Sequence, residues 1–141
     1  MIMGMSHVAY GVTDLDASLR FYVADLGFEE VFRLNHDDGS PWLIYLHAGG
    51  GTFIELFPED KVDQETAASY KHLCIRVDDM NSSLADLSSR GLEPLNPASQ
   101  GQDGNLQAWF RDPDGNPIEF MQIMPNSPQG KFLASLAPEV L

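Results

Sequence analysis

The chain contains two copies of one sequence pattern, and this repeat limits the folds that it can adopt. The segment HVAYGVTDLDASL, which begins at His7, aligns with HLCIRVDDMNSSL, which begins at His72, at a constant offset of 65 residues. Further along, a Gly-x-Glu triplet at residues 27–29 matches another at residues 91–93 at an offset of 64. Matches at a nearly constant offset rarely arise by chance, so the sequence predicts two homologous modules.

Length, cysteine usage and charge restrict the classes of function. The 141 residues include no apolar run near the roughly 20 needed to cross a bilayer, and the N-terminus lacks signal-peptide features. The single cysteine, Cys74, cannot form an internal disulfide, which fits a reducing compartment. The net charge of -13 opposes binding to phosphate backbones. We therefore expect a cytoplasmic protein with a small-molecule partner, and neither a nucleic acid nor a membrane as a partner.

Hydrophobic periodicity predicts the same order of elements in both halves, a strand, a helix and three strands. In each half an aspartate precedes the helix as an N-cap and a glycine ends it. The first half is predicted to form a strand at 7–12, a helix at 15–26, and strands at 28–34, 42–47 and 52–57. The second half is predicted to form a strand at 70–77, a helix at 80–90, a short strand near Leu92, a flexible stretch at 96–105, and strands at 106–111 and 117–123.

These elements predict one α+β domain with four segments. Residues 5–57 and 70–123 are the two modules, residues 58–69 link them, and residues 124–141 form a C-terminal tail. The tail holds three prolines and an apolar patch at 132–136, which predict a short docking helix or an interface arm.

Each module offers one histidine and one glutamate at repeat-equivalent positions. Glu55 follows His7 by 48 residues, and Glu119 follows His72 by 47. Strand alternation puts all four side chains on the face opposite the apolar residues that pack beneath the helices. A lone carboxylate between apolar neighbours is costly to bury unless it is paired or binds a metal. The sequence therefore predicts that these four residues bind one divalent metal ion.

The remaining histidines and the cysteine have no counterpart in the repeat. We interpret His36 as a loop residue, His47 as a strand-end residue and Cys74 as a packing residue with no activating base beside it.

Several motifs resemble the vicinal oxygen chelate superfamily, which includes glyoxalase I, methylmalonyl-CoA epimerase, extradiol dioxygenases and the fosfomycin and bleomycin resistance proteins. The matching text is HVA, VTD, FY with LGF, FIEL, HL and DPDGNPIEF, and it covers residues 5–123. The resemblance implies paired βαβββ modules that form a cupped mixed sheet around a central divalent metal, in a homodimer. It does not choose among Zn, Ni, Co, Mn and Fe.

A His-Glu-His-Glu set is similar to that of glyoxalase I. The resemblance implies a lyase or isomerase that transfers a proton through a metal-stabilised enediolate, with Glu119 as the base and Glu55 as its symmetry counterpart. Two alternatives share the fold. One is an Fe(II)-dependent ring-cleaving dioxygenase that uses two histidines and one glutamate. The other is a non-catalytic protein that binds a small molecule and confers resistance.

The sequence departs from glutathione-dependent members of the superfamily. They tend to carry an arginine four residues after the first histidine, where this chain has Gly11, and an asparagine after the strand that ends here at Phe57. These departures make glutathione dependence doubtful. The remaining candidates for contact with the substrate are Arg33 and Arg76, for an anionic group, and Trp42, for a pocket wall.

Overall fold

The computed structural model describes residues 5–61 and 71–135, and the chain divides into two units, Met1–Ser69 and Tyr70–Leu141. The first unit contains β1 (His7–Val12), α1 (Leu15–Leu19), β2 (Glu29–Asn35), β3 (Pro41–Gly49) and β4 (Thr52–Pro58). The second contains β5 (Leu73–Val77), α2 (Met80–Ser89), β6 (Ser99–Gln100), β7 (Leu106–Arg111), β8 (Pro117–Gln122) and α3 (Pro128–Ala134). The predicted pair of βαβββ modules is confirmed.

Both units build a four-stranded mixed sheet with the same connections. The first sheet has the order β1-β4-β3-β2, and the second has the equivalent order β5-β8-β7-β6. In each, the first strand pairs in parallel with the last, and the other pairs are antiparallel. One face of each sheet buries the aliphatic and aromatic residues of the core, among them Tyr10, Val12, Ile44, Leu46, Ile54 and Leu56 in the first unit and Ala108, Phe110, Ile118 and Phe120 in the second.

The first helix differs from the regular α-helix predicted over residues 15–26. It begins as expected, because the Asp14 carboxylate accepts a hydrogen bond from the backbone N–H of Ala17. After Leu19 it widens into a π-helical segment, Arg20–Asp25, in which the N–H of Leu26 donates to the carbonyl of Phe21 at 2.9 Å. Periodicity detects a helix here but does not distinguish its pitch.

The short strand predicted near Leu92 is wrong. No strand begins there, and the second strand of the second unit is β6 instead, which lies within the stretch predicted to be flexible. β6 pairs with β7 over only two residues, and Leu95 adds one backbone hydrogen bond to Trp109 at 2.7 Å. A strand this short depends on its pairing partner rather than on a pattern of its own. The predicted strand at 70–77 begins at Leu73, and Tyr70 lies outside the described residues.

The beginning of the tail is a short helix that is hydrogen-bonded to its own unit. Asn105, which is buried, accepts a hydrogen bond from the backbone of Met124 at 3.0 Å and donates to the side chain of Gln129 at 3.0 Å. The Ser127 hydroxyl caps α3 by accepting from the N–H of Gly130. The prediction of a short helix is therefore confirmed for 128–134, while 136–141 lie outside the described residues. Within the described ranges, no helix is long and apolar enough to cross a membrane.

Candidate metal centre

His7 and Glu55 lie together on the open face of the first sheet. His7 begins β1, and Glu55 is at the centre of the neighbouring strand β4, where it pairs with Ala9 and Tyr45. The Nε2 atom of His7 is 3.6 Å from a carboxylate oxygen of Glu55. The side chain of Glu55 is only 14% exposed, whereas that of His7 is 41% exposed. This contact joins two residues that the repeat predicted to act together.

His72 and Glu119 form the equivalent pair in the second unit. The His72 Nε2 atom is 3.0 Å from Glu119 Oε2, and the Glu119 side chain is 6% exposed. The His72 ring also packs edge-on against Trp109, with their centroids 4.9 Å apart. Among the described residues, the ion-pair partner of this buried carboxylate is a histidine, which carries a charge only when protonated. A carboxylate in such an environment favours a bound cation.

Tight turns fix the register of the strands that carry the two glutamates. In the first unit, three glycines at 49–51 adopt positive φ angles of 97°, 56° and 75°, which side chains disfavour. In the second unit, Asp112 accepts hydrogen bonds from the backbone and side chain of Asn116 at 2.7 and 2.8 Å. The turns thus place Tyr45 opposite Glu55 and Trp109 opposite Glu119.

The structure brings the four predicted ligands together two by two, His7 with Glu55 and His72 with Glu119, each pair within its own unit. In the parts of the chain that the structure describes, no group of three or more such side chains comes together. Each half therefore presents one nitrogen and one carboxylate, a donor set that suits a borderline divalent ion.

Cys74 lies beside Glu119, with which it is paired across β5 and β8. Its side chain is exposed. Desolvation of its sulfur nevertheless raises the pKa of the thiol to about 12, and the Glu119 carboxylate adds to this shift. A protonated thiol is a weak nucleophile, which argues against a nucleophilic role for Cys74, but its exposure does not fit the packing role predicted from the sequence.

The three residues predicted to contact the substrate lie in different environments. The Arg33 guanidinium donates to both carboxylate oxygens of Glu30 at 2.7 Å. This ion pair raises the pKa of Arg33 and neutralises its charge locally. Arg76 is exposed and, by strand alternation, lies on the same side of the second sheet as His72, which immediately precedes β5. Trp42 is 46% exposed and lies where the register of β3 with β2 shifts, with its ring 6.1 Å from that of His36.

Two features near the first pair were not identified from the sequence. The Glu59 carboxylate lies over Gly11, only 3.0 Å from where a Cβ at that position would stand. The Tyr45 hydroxyl is 3.2 Å from the Nδ1 atom of His7. The repeat offset of 64 aligns Tyr45 with Trp109, a correspondence that singles out both positions once the strand register is known.

Comparisons with known proteins agree with this fold and these motifs. The model of the Glyoxalase/Bleomycin resistance protein/Dioxygenase superfamily matches residues 4–120. The chain is 32% identical to the uncharacterized protein YaeR of Escherichia coli, over 82% of this chain and 93% of the relative. It is 28% identical to a lactoylglutathione lyase of Neisseria meningitidis, over 85% of this chain and 91% of that enzyme.

A solved structure of a glyoxalase family protein from Enterococcus faecalis shares the architecture. Its TM-score to this chain is 0.72 at 26% identity, over 84% of this chain and 96% of that one. The fold and the paired modules therefore define a glyoxalase-type protein. This chain belongs to the Glyoxalase/Bleomycin resistance protein/Dioxygenase superfamily.

Proposed function

We propose that this protein is a metal-dependent lyase or isomerase, similar to lactoylglutathione lyase, that moves a proton between adjacent carbons of a small-molecule substrate. The observation that carries the proposal is the repeated His–Glu pair, in contact within each unit. We infer that His7, Glu55, His72 and Glu119 bind one divalent ion and that the working form is a homodimer. The relatives named lactoylglutathione lyase support this class of reaction.

The donor chemistry fits such an ion. Two imidazoles and two carboxylates are ligands for Zn, Ni, Co, Mn or Fe, and the burial of the Glu119 carboxylate beside His72 favours a cation there. When bound, the ion would stabilise the negative charge that develops on two neighbouring substrate oxygens during enediolate formation. The contact between Glu55 and His7 favours a set of four ligands over the set of two histidines and one glutamate used by the ring-cleaving dioxygenases.

Glu119 is the proposed base. Its carboxylate would take the proton from a substrate C–H bond, leave the electron pair in the enediolate, and return the proton to the adjacent carbon. Glu55 is its counterpart in the other module and would act for the opposite stereochemistry. Low exposure of both side chains keeps water from competing for the proton.

Metal analysis tests the proposal. The purified protein is stripped with a chelator, reconstituted separately with each of the five metals and washed, and its metal content and turnover of a panel of hemithioacetals are measured. We expect one ion per chain and turnover only in the reconstituted protein. The His7→Gln and His72→Gln variants are expected to lose the ion, whereas His36→Gln, which changes an exposed loop histidine, keeps it. A wild-type protein that retains no divalent metal after reconstitution would refute the proposal.

The surroundings of Gly11 argue against glutathione as the thiol. In glutathione-dependent relatives this position tends to carry an arginine, and here the Glu59 carboxylate covers it. The Glu59 carboxylate would repel the terminal carboxylates of glutathione if they bound within a few ångströms of it. The equivalent position in the second module, 65 residues further on, is Arg76. We infer that an anionic group of the substrate binds at Arg76 instead.

Replacing Arg76 by alanine tests this contact. A charge-assisted hydrogen bond from a guanidinium to an anion contributes roughly 1.5–3 kcal/mol, so KM is expected to rise by about tenfold or more. The kcat value is expected to change little, because a contact with a non-reacting group stabilises the bound substrate and the transition state equally. Arg33→Ala is the matched control, since Glu30 already holds that guanidinium. Equal kinetic effects of the two substitutions would contradict the assignment.

A further inference from the structure

Trp109 lies beside both ligand candidates of the second unit. It is paired with Glu119 across β7 and β8, so the two side chains lie on the same face of the sheet. Its indole meets the His72 ring edge-on, with the ring centroids 4.9 Å apart and the planes at 79°. The His72 side chain is 35% exposed, and among the described residues no hydrogen bond, ion pair or ring contact holds it except those with Trp109 and Glu119. Trp109 is therefore one of two side chains that set the orientation of this imidazole.

The indole of Trp109 is held in turn by Gln107. The two residues are separated by one position on β7, so their side chains share a face of the strand. The indole N–H donates a hydrogen bond to the side-chain carbonyl of Gln107, with 2.9 Å between Nε1 and Oε1. The indole has no other polar atom, so this bond fixes which way the ring is turned about its χ2 torsion. A change at Gln107 is therefore expected to reach His72 through Trp109.

The Gln107 amide occupies space that the absence of a side chain at Gly101 provides. A Cβ atom at Gly101 would overlap the Nε2 atom of Gln107. The backbone of Gly101 is itself held, because its N–H donates to the carbonyl of Asn105 at 2.8 Å. The half-buried Gln107 thus has this turn on one side of its amide and the indole on the other, which leaves the amide little room for another rotamer.

The described residues of the first unit do not repeat this series of contacts. The repeat offset of 64 aligns Gln107 with Leu43 and Trp109 with Tyr45. A leucine side chain has no hydrogen-bond acceptor, and the Tyr45 ring is farther from that of His7, at 6.0 Å between centroids. Both units share the fold, so the contacts around His72 come from residues that distinguish the second unit.

Building on the proposed metal site, we propose that Trp109 is a positioning residue that holds the His72 ring ready to bind the ion, and that Gln107 acts through Trp109 by fixing the indole. An exposed imidazole that is free to rotate loses conformational entropy when it binds an ion. A ring that is already held in one orientation loses less, so its affinity for the ion is higher. Supporting contacts of this kind commonly change metal affinity by about 10- to 100-fold.

A double-mutant cycle of Gln107→Leu and Trp109→Phe tests the proposal. Gln107→Leu removes the acceptor, and Trp109→Phe keeps an aromatic ring but has no N–H for Gln107 to hold. Competition with a chromophoric chelator measures the affinity for Zn²⁺, which each single substitution is expected to lower by about tenfold. Because Gln107 acts through Trp109, adding Gln107→Leu to Trp109→Phe is expected to have no further effect.

Nuclear magnetic resonance spectra of the metal-free protein provide a readout that does not depend on the ion. The chain has two tryptophans, so the indole N–H signal of Trp109 is the one that Trp109→Phe removes. The ring signals of His72 are assigned from the His72→Gln variant. In Gln107→Leu we expect faster hydrogen exchange at the indole N–H and a shift of the His72 ring signals, because the indole is no longer held against the imidazole. Urea unfolding checks that each variant is folded.

Gln100→Leu is the matched control, because its side-chain amide donates to the carbonyl of Gly104 at 2.9 Å rather than contacting Trp109. We expect the indole and His72 signals and the Zn²⁺ affinity to change little. If Gln107→Leu lowered the Zn²⁺ affinity equally in the wild type and in Trp109→Phe, or in neither, the proposal would be overturned and the metal site retained. If the wild type binds no Zn²⁺, the proposed function fails, and the role assigned to Trp109 fails with it.

Discussion

Replacing Glu119 by glutamine is expected to lower kcat by about 100- to 10,000-fold, the usual contribution of a positioned general base. Glutamine keeps the size of the side chain and its place on β8 beside His72, but it cannot accept a proton from carbon. Measurement of kcat and of solvent deuterium incorporation into the product, at saturating metal, separates the lost proton transfer from weaker metal binding. The structure is expected to persist, because the substitution preserves the volume of a buried side chain.

Two further variants serve as a control and as a test of which glutamate is the base. Glu93→Gln changes an exposed glutamate that accepts a hydrogen bond from Ser88, and it is expected to leave kcat unchanged. Glu55→Gln is expected to weaken metal binding more than it lowers kcat under saturating metal. If Glu55→Gln abolished deuterium incorporation while Glu119→Gln retained it, the base assignment would be reversed.

Replacing Phe110 by alanine is expected to destabilise the protein by about 3–5 kcal/mol. Phe110 is 1% exposed and packs edge-on against Phe120, with ring centroids 4.9 Å apart. Its removal leaves a cavity in the core of the second sheet, beneath the strands that carry Trp109 and Glu119. Because domains are commonly stable by only about 5–15 kcal/mol, this loss is a large fraction of the total. Urea unfolding followed by circular dichroism measures it.

Phe132→Ala provides the comparison, since the same side chain is removed from α3 at a position that is 62% exposed. A change within about 0.5 kcal/mol is expected there. Equal destabilisation by the two substitutions would show that the core of the second unit is not packed as described.

The sequence predicted the two modules because a repeat is visible without any knowledge of tertiary structure. Histidine, aspartate and serine recur at an offset of 65 and glycine at an offset of 64, and several have a local physical role, such as the N-cap at Asp14 or the positive φ of 79° at Gly27. Period-two alternation also placed Glu55 opposite Ile54 and Leu56, which are buried as expected. Local patterns are sufficient for these features, because they depend on neighbours along the chain.

Other features have no distinguishing signal in the sequence. The π-helical segment at Arg20–Asp25 and the two-residue strand β6 were not predicted, because neither has a periodicity that distinguishes it. The ion pair of Arg33 with Glu30 was not predicted, because the sequence does not specify which of the available carboxylates an arginine side chain contacts.

The sequence by itself determined the fold and the four candidate ligands, since these follow from a repeat and from short-range alternation, and its motifs carried the resemblance to the family. Only the tertiary structure decided what surrounds each ligand. Register across β3 and β4 puts the Tyr45 hydroxyl against His7, and the path of the chain after β4 puts Glu59 over Gly11. Such contacts join residues 38 and 48 positions apart, and strand pairing, not the local sequence, sets the distances between them.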